Sequence, residues 1–232
     1  MEVFVSELQQ VFNFDLSALV KIYTSSTSTA FQYQIVELID EAKRTFNARC
    51  RRSTIILASE ILHRVNCELI THLIIKEGFI QHTKSSGRNI TLRREDTYGK
   101  DIAEELNLNE TIEFLYRREI INEGTSIEMH LLRYIRNGAT HAEVPGMLSQ
   151  ESRTNVARTE QEFMDTISGK RPLPPKEYLI FFPLKGKEVK YMIDQIILEI
   201  NLDEMEDYKM RLPAVSLRIL LLCMEKVASA FA

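Results

Sequence analysis

No stretch of this chain offers the ~20 consecutive apolar residues that a bilayer-spanning helix needs. The amino-terminal residues also lack the basic start and apolar block of a secretory signal. A soluble, cytoplasmic protein with no membrane partner is therefore expected. Cysteine is scarce. Cys50, Cys67 and Cys223 are scattered and odd in number, which excludes a disulfide framework and suits small core hydrophobes in a reducing compartment. His63 and Cys67 stand one helical turn apart, but two ligands do not make a zinc site and no second pair lies at ligand spacing. Neither a metal nor any other cofactor is expected. There is no excess of positive charge: the net charge is −4 and the pI about 5.8. That excludes a broad nucleic-acid footprint and leaves only a local basic patch for any RNA contact. Glycine-rich phosphate loops, Gly-x-Ser-x-Gly turns, histidines paired at i, i+4 and internal repeats are all missing.

Eight glycines and six prolines in 232 residues leave few places where a helix must break. Hydrophobic residues make up 44% and charged residues 27%, an ordinary globular balance that argues against disorder. The length suits one large domain, or one domain with a smaller appendage. Residues 1–24 read as one or two short helices, followed by a polar break at 24–29. Phe31, Ile35, Leu38, Ile39, Ala42 and Phe46 recur at helical spacing and predict a first long helix over 30–47. A second, over 52–76, carries Ile55, Ile56, Ser59, Leu62, Asn66, Leu69, Ile70, Leu73 and Ile74 inward, and the short connection makes the two an antiparallel pair. The arginines between them could form a phosphate-binding edge or simply complement helix ends.

Gly78 closes that spine, and 80–100 fits a short hairpin or ordered loop. Its Arg88, Arg93 and Arg94 could guide a substrate or merely be solvated. Shorter helices are expected over 100–108 and 110–121, with Asn109 as the cap between them. Asn122-Glu123-Gly124 reads as a turn into a further helix capped by Thr125 or Ser126. An amphipathic helix follows at 149–167, and three prolines within 169–176 mark the clearest boundary in the chain. Beyond it, 177–184 is strand-like and 192–202 fits helix and strand templates equally. Residues 214–231 form an amphipathic helix that could join the bundle, mediate dimerisation or bind a partner.

The segment with reaction chemistry is Arg136-Asn137-Gly138-Ala139-Thr140-His141. An arginine is always charged and offers a fork of donors to a phosphate. A histidine titrates near neutrality and can take a proton from a hydroxyl. Together they match what RNA phosphodiester cleavage asks for, with no metal required. Five residues apart, they would leave an ideal helix ~140° apart. Convergence within one chain therefore needs a bend or an end near Gly138, and otherwise one group from each of two chains could meet across an interface. Alternatively, Arg136 merely complements the helix end, with His141 a surface residue.

An arginine, a polar residue directly after it and a histidine a few positions on, late in a helix of a helical chain, resembles the signature of the HEPN family. Glu41-Ala42-Lys43 through Arg52 to Ala58-Ser59-Glu60-Ile61-Leu62 looks like that family's first helical hairpin. Gly99-Lys100-Asp101-Ile102 and Glu119-Ile120-Ile121-Asn122 look like the short helix and turn before its motif helix. The likeness spans about residues 30–170, and only the motif is specific. It implies an all-α, antiparallel helical bundle, commonly a homodimer, and a metal-independent endoribonuclease of the kind that serves as a toxin or antiviral-defence effector. Arg136, Asn137 and His141 would be the catalytic residues, with Glu60 a candidate to orient His141; Glu60 could equally be an ion-pair partner of Arg64 or Arg133. The expected organisation is an N-terminal helical extension (1–29), a HEPN-like bundle (30–168), a proline-rich linker (169–176) and a C-terminal extension (177–232) holding a short strand or hairpin. RNA, a second copy of the chain and an antitoxin or sensor protein are the expected partners. The competing expectations are a catalytically silent RNA- or nucleotide-binding adaptor and a helical scaffold with an accidental motif.

Overall fold

The computed structural model describes residues 28–84, 87–97, 102–141 and 210–231. The expectations for 1–27, for the helix at 149–167, for the linker at 169–176 and for 177–184 and 192–202 lie outside the described residues. What is described is mostly helical, with one two-stranded sheet.

Helix α1 (Thr29–Asn47) starts where the side chain of Ser28 accepts the Phe31 N–H at 3.2 Å. The Ser28 N–H in turn donates to the buried carboxylate of Glu68, 40 residues on, at 3.2 Å. The predicted stripe is the buried face: Phe31, Ile35, Ala42 and Phe46 are in the core, and Leu38 and Ile39 pack against it. The helix ends without glycine. Arg49 takes φ 57°, so that the Cys50 N–H reaches the Thr45 carbonyl at 2.8 Å. A left-handed residue at this point satisfies carbonyls that the last turn leaves open.

Helix α2 (Arg51–Glu77) is the spine, and α1 packs antiparallel beside it as the short connection required. Its buried set is wider than the inward stripe read from spacing, because Thr54, Ala58, Ile61, Val65, Cys67 and Glu68 are buried as well. The reason is position. A helix covered on several sides has no single apolar face, and α2 touches every other helix described below. Gly78 stops it with φ 86°, its N–H held by Ile74 O at 2.8 Å. Strands β1 (Phe79–Thr83) and β2 (Asn89–Arg93) then pair antiparallel, Phe79 opposite Arg93 and His82 opposite Ile90. Alternation puts Ile80, His82, Ile90 and Leu92 inward. The hairpin at 79–93 therefore settles the open choice between hairpin and loop.

After the single turn α3 (Arg94–Thr97) come α4 (Ile102–Glu105) and α5 (Leu108–Arg117). The cap between the last two is Asn107, not Asn109 as expected. Its side chain accepts the Glu110 N–H at 3.1 Å while the Glu110 carboxylate accepts the Asn107 N–H at 3.0 Å. This reciprocal pair satisfies two otherwise open donors. Asn107→Ala is therefore expected to cost about 1 kcal/mol in urea unfolding, and Asn107→Asp much less. Equal losses for the two substitutions would show that the cap contributes nothing.

Helix α6 (Glu123–His141) begins two or three residues before the expected caps, Thr125 and Ser126, because Asn122 Oδ1 takes the Thr125 N–H at 2.9 Å. The helix runs through His141 and does not end at Gly138. The last described helix, α7 (Arg211–Ala228), runs into a 3-10 turn at Ser229–Phe231. It opens at Arg211 rather than after Pro213, which sits in its first turn where a missing N–H does no harm. Of the three roles open to it, packing on the bundle is the one observed. Leu217, Leu220, Met224, Val227 and Phe231 join the common core against α2 and α6. Lys226 also pairs with Glu128 across the α6–α7 seam at 2.6 Å.

Candidate functional site

Between the middle of α2, the start of α5 and the last turns of α6 lies an open cleft of about 330 Å³. Helix α2 contributes Ile56, Ser59, Glu60 and His63, which recur at three- and four-residue intervals and so share one side of the spine. Helix α6 contributes Arg133, Arg136 and Asn137, again one turn apart. The third wall is Ala103 of α4 and Asn107, Leu108 and Asn109 at the beginning of α5. Two of the three expected site residues, Arg136 and Asn137, thus line one cleft. A guanidinium nitrogen of Arg136 donates to Asn137 Oδ1 at 3.2 Å. The expected meeting of His141 with Arg136 lies outside the described side chains.

Glu60 has a partner already. Its Oε1 accepts from Nε of Arg64 at 2.9 Å, which is the ion pair with Arg64 open to it from the sequence. His63 turns to the turn before α5, with Nε2 2.8 Å from the Leu106 carbonyl. A carbonyl can only accept, so Nε2 carries a hydrogen and Nδ1 is the ring nitrogen not committed to this bond. Cys67, its neighbour one turn on, is buried in the core. Among the described residues no three histidine, cysteine or acidic side chains stand close enough to hold a metal ion.

The cations have buried support behind them. Glu113 of α5 is 1% exposed and accepts from Nδ2 of Asn109 at 2.5 Å, with Arg117 3.8 Å from its other oxygen. Burial raises its carboxyl above the usual range, and the Asn109 hydrogen bond and the charges of Arg117 and Arg133 oppose that rise. Burial also weakens the hold of Arg133 on its proton, while the Glu113 carboxylate strengthens it. Glu113 therefore anchors one wall residue directly, through Asn109, and faces a second, Arg133, electrostatically. With the positive end of α5 pointing the same way, Arg133 and Arg136 make a cleft suited to an anion. No described residue of the hairpin lines the cleft, and Arg93 is 3.6 Å from Glu95.

Sequence reasoning missed Arg133, Asn107 and Asn109 as cleft residues. Arg133 could have been found, since it lies three residues before Arg136 on the same helix. The Asn107-x-x-Glu110 spacing is a capping signal that places the start of α5 but not its neighbours. Comparison with models of protein families, with curated proteins and with solved structures finds no match to the chain.

Proposed function

We infer that the chain is a metal-independent endoribonuclease of the HEPN type, built on a HEPN-like bundle. The observation that supports this most is that Arg136 and Asn137 of the motif line an open cleft together with a second arginine and a histidine. In this reading the RNA 2′-oxygen attacks the adjacent phosphorus, giving a 2′,3′-cyclic phosphate and a 5′-hydroxyl. Arg136, oriented by Asn137, binds the scissile phosphate and stabilises charge on its oxygens. His141 takes the 2′-hydroxyl proton, either at the end of α6 or from a second copy of the chain across a two-fold axis. An activity of this kind fits a toxin or defence effector, with an antitoxin or sensor as its restraint.

The test is cleavage of single-stranded RNA in excess EDTA with identification of the product ends. Cleavage with cyclic-phosphate ends is expected, falling by about 10²–10³-fold in Arg136→Ala, the usual loss for one oxyanion donor. An absolute need for Mg²⁺, or undiminished cleavage by Arg136→Ala, would overturn the reading. One observation favours a second reading: the described walls bring two arginines to one anion site whether or not any bond is broken there. A silent RNA- or nucleotide-binding adaptor would bind RNA through these arginines and never turn it over.

A further inference from the structure

The proposed reaction moves two protons. One leaves the 2′-hydroxyl, and another must reach the 5′-oxygen as its bond to phosphorus breaks. With His141 assigned to the first, the second needs a donor of its own. The cleft narrows the choice among its described walls. Arg133 and Arg136 serve a phosphate as charged hydrogen-bond donors rather than as proton carriers. Asn107, Asn109 and Asn137 have no proton to transfer near neutrality. Glu60 is engaged by Arg64 at 2.9 Å. That leaves His63, the one imidazole among the described wall residues and the side-chain type most often used for acid–base catalysis.

His63 is also held as a donor should be. Leu106 O fixes the Nε2–H at 2.8 Å, so the ring cannot flip without losing that bond, and the exchangeable proton is confined to Nδ1. Second, His63 stands on α2, a helix packed on several sides, and Leu106 immediately precedes the capped start of α5. A ring fixed by rigid elements suits proton transfer better than one on a loop. The company it keeps adds a reason. His63 and Arg136 line the same cleft, so an imidazole and a phosphate-binding cation stand at one site.

We propose that His63 is the general acid of this site, protonating the 5′-oxygen from Nδ1. This rests on the nuclease reading above. As the 2′-oxygen bonds to phosphorus, the P–O5′ bond breaks and its electron pair leaves on the 5′-oxygen, which takes the Nδ1 proton. The 2′-hydroxyl proton passes to His141, and exchange with water returns both rings to their starting states. The leaving-group proton then needs no second chain.

The experiment uses the full chain and a short single-stranded RNA whose cleaved linkage has been mapped. The same RNA is also made with sulfur in place of the 5′-bridging oxygen, because a thiolate departs without a proton. His63→Gln keeps a donor for the Leu106 carbonyl but has no proton to give. It is expected to slow cleavage of the oxygen linkage by about 10²–10⁴-fold and to regain most of that loss on the sulfur linkage. Arg136→Ala should be slow on both. Equal losses on the two linkages, or no loss on either, would overturn the acid role while leaving the nuclease reading in place. No cleavage of the oxygen linkage by the unmodified chain, or an Arg136→Ala protein as fast as it, would overturn the nuclease reading and this role with it.

Discussion

His141→Ala is expected to lower RNA cleavage by about 10²–10⁴-fold, the usual contribution of a general base, without lowering the melting temperature. The same protein should bind a 2′-deoxy version of the substrate as tightly as the unmodified chain does, because that oligonucleotide offers no hydroxyl to deprotonate. Measuring both separates chemistry from binding. A parallel fall in rate and affinity would make His141 a ligand contact, and no fall in either would make it a bystander. Arg136→Ala should behave differently and lose affinity along with rate, since a guanidinium on a phosphate acts before and during the reaction. Combining the two substitutions should cost less than the product of the single losses, as is usual for residues that act as a unit. For an adaptor, neither variant has a rate to lose, and only Arg136→Ala changes a measured quantity.

Lowering the pH from 7.5 to 4 is expected to destabilise the fold by about 3 kcal/mol through His130 alone, taking 1.36 kcal/mol per pK unit. His130 is 8% exposed, and neither ring nitrogen has a hydrogen-bond partner. Burial, and after it the charge of Arg133, lowers its pKa from 6.5 to about 4. Its neutral form is thus the folded form. The unfolded chain takes up a proton at a pH where the folded one does not, so the stability is complete above 6.5 and is lost as pH falls from there toward 4. His82, buried edge-on against Phe114, is shifted the same way, by burial first and then by Arg117, with Lys84 also lowering it and Glu110 opposing. Urea midpoints for the unmodified protein and His130→Leu should therefore converge in acid and diverge toward neutrality, or change order. Parallel curves across that window would show that the ring is not held neutral.

The long amphipathic segments were readable because each presents one face to the core. The stripes of α1 and α7 are the buried faces, and Gly78 ends the spine as its freedom at positive φ suggests. Where the surroundings override local pattern, reading fails. Helix α2 is covered on several sides, so spacing understated what it buries. The ends of α1 and α5 fall to Arg49 and Glu119 in the left-handed region, with no glycine to announce them. Both Asn107 and Asn109 fit a cap locally, and only the reciprocal bonds with Glu110 decide between them. At the site, Arg136 and Asn137 were legible as a motif. Their company was not, because His63 and Asn109 come from distant parts of the chain and meet only through packing.

The contribution of α7 to the core sets an order on biosynthesis. A ribosome that has delivered the sequence through His141 has released the spine and the arginine-bearing helix, yet the wall that covers both lies at 211–231. Until those residues emerge, the apolar surface of α2 and α6 that they cover stays wetted. A cleaving activity that matures only as the last helix docks would spare the messenger being read.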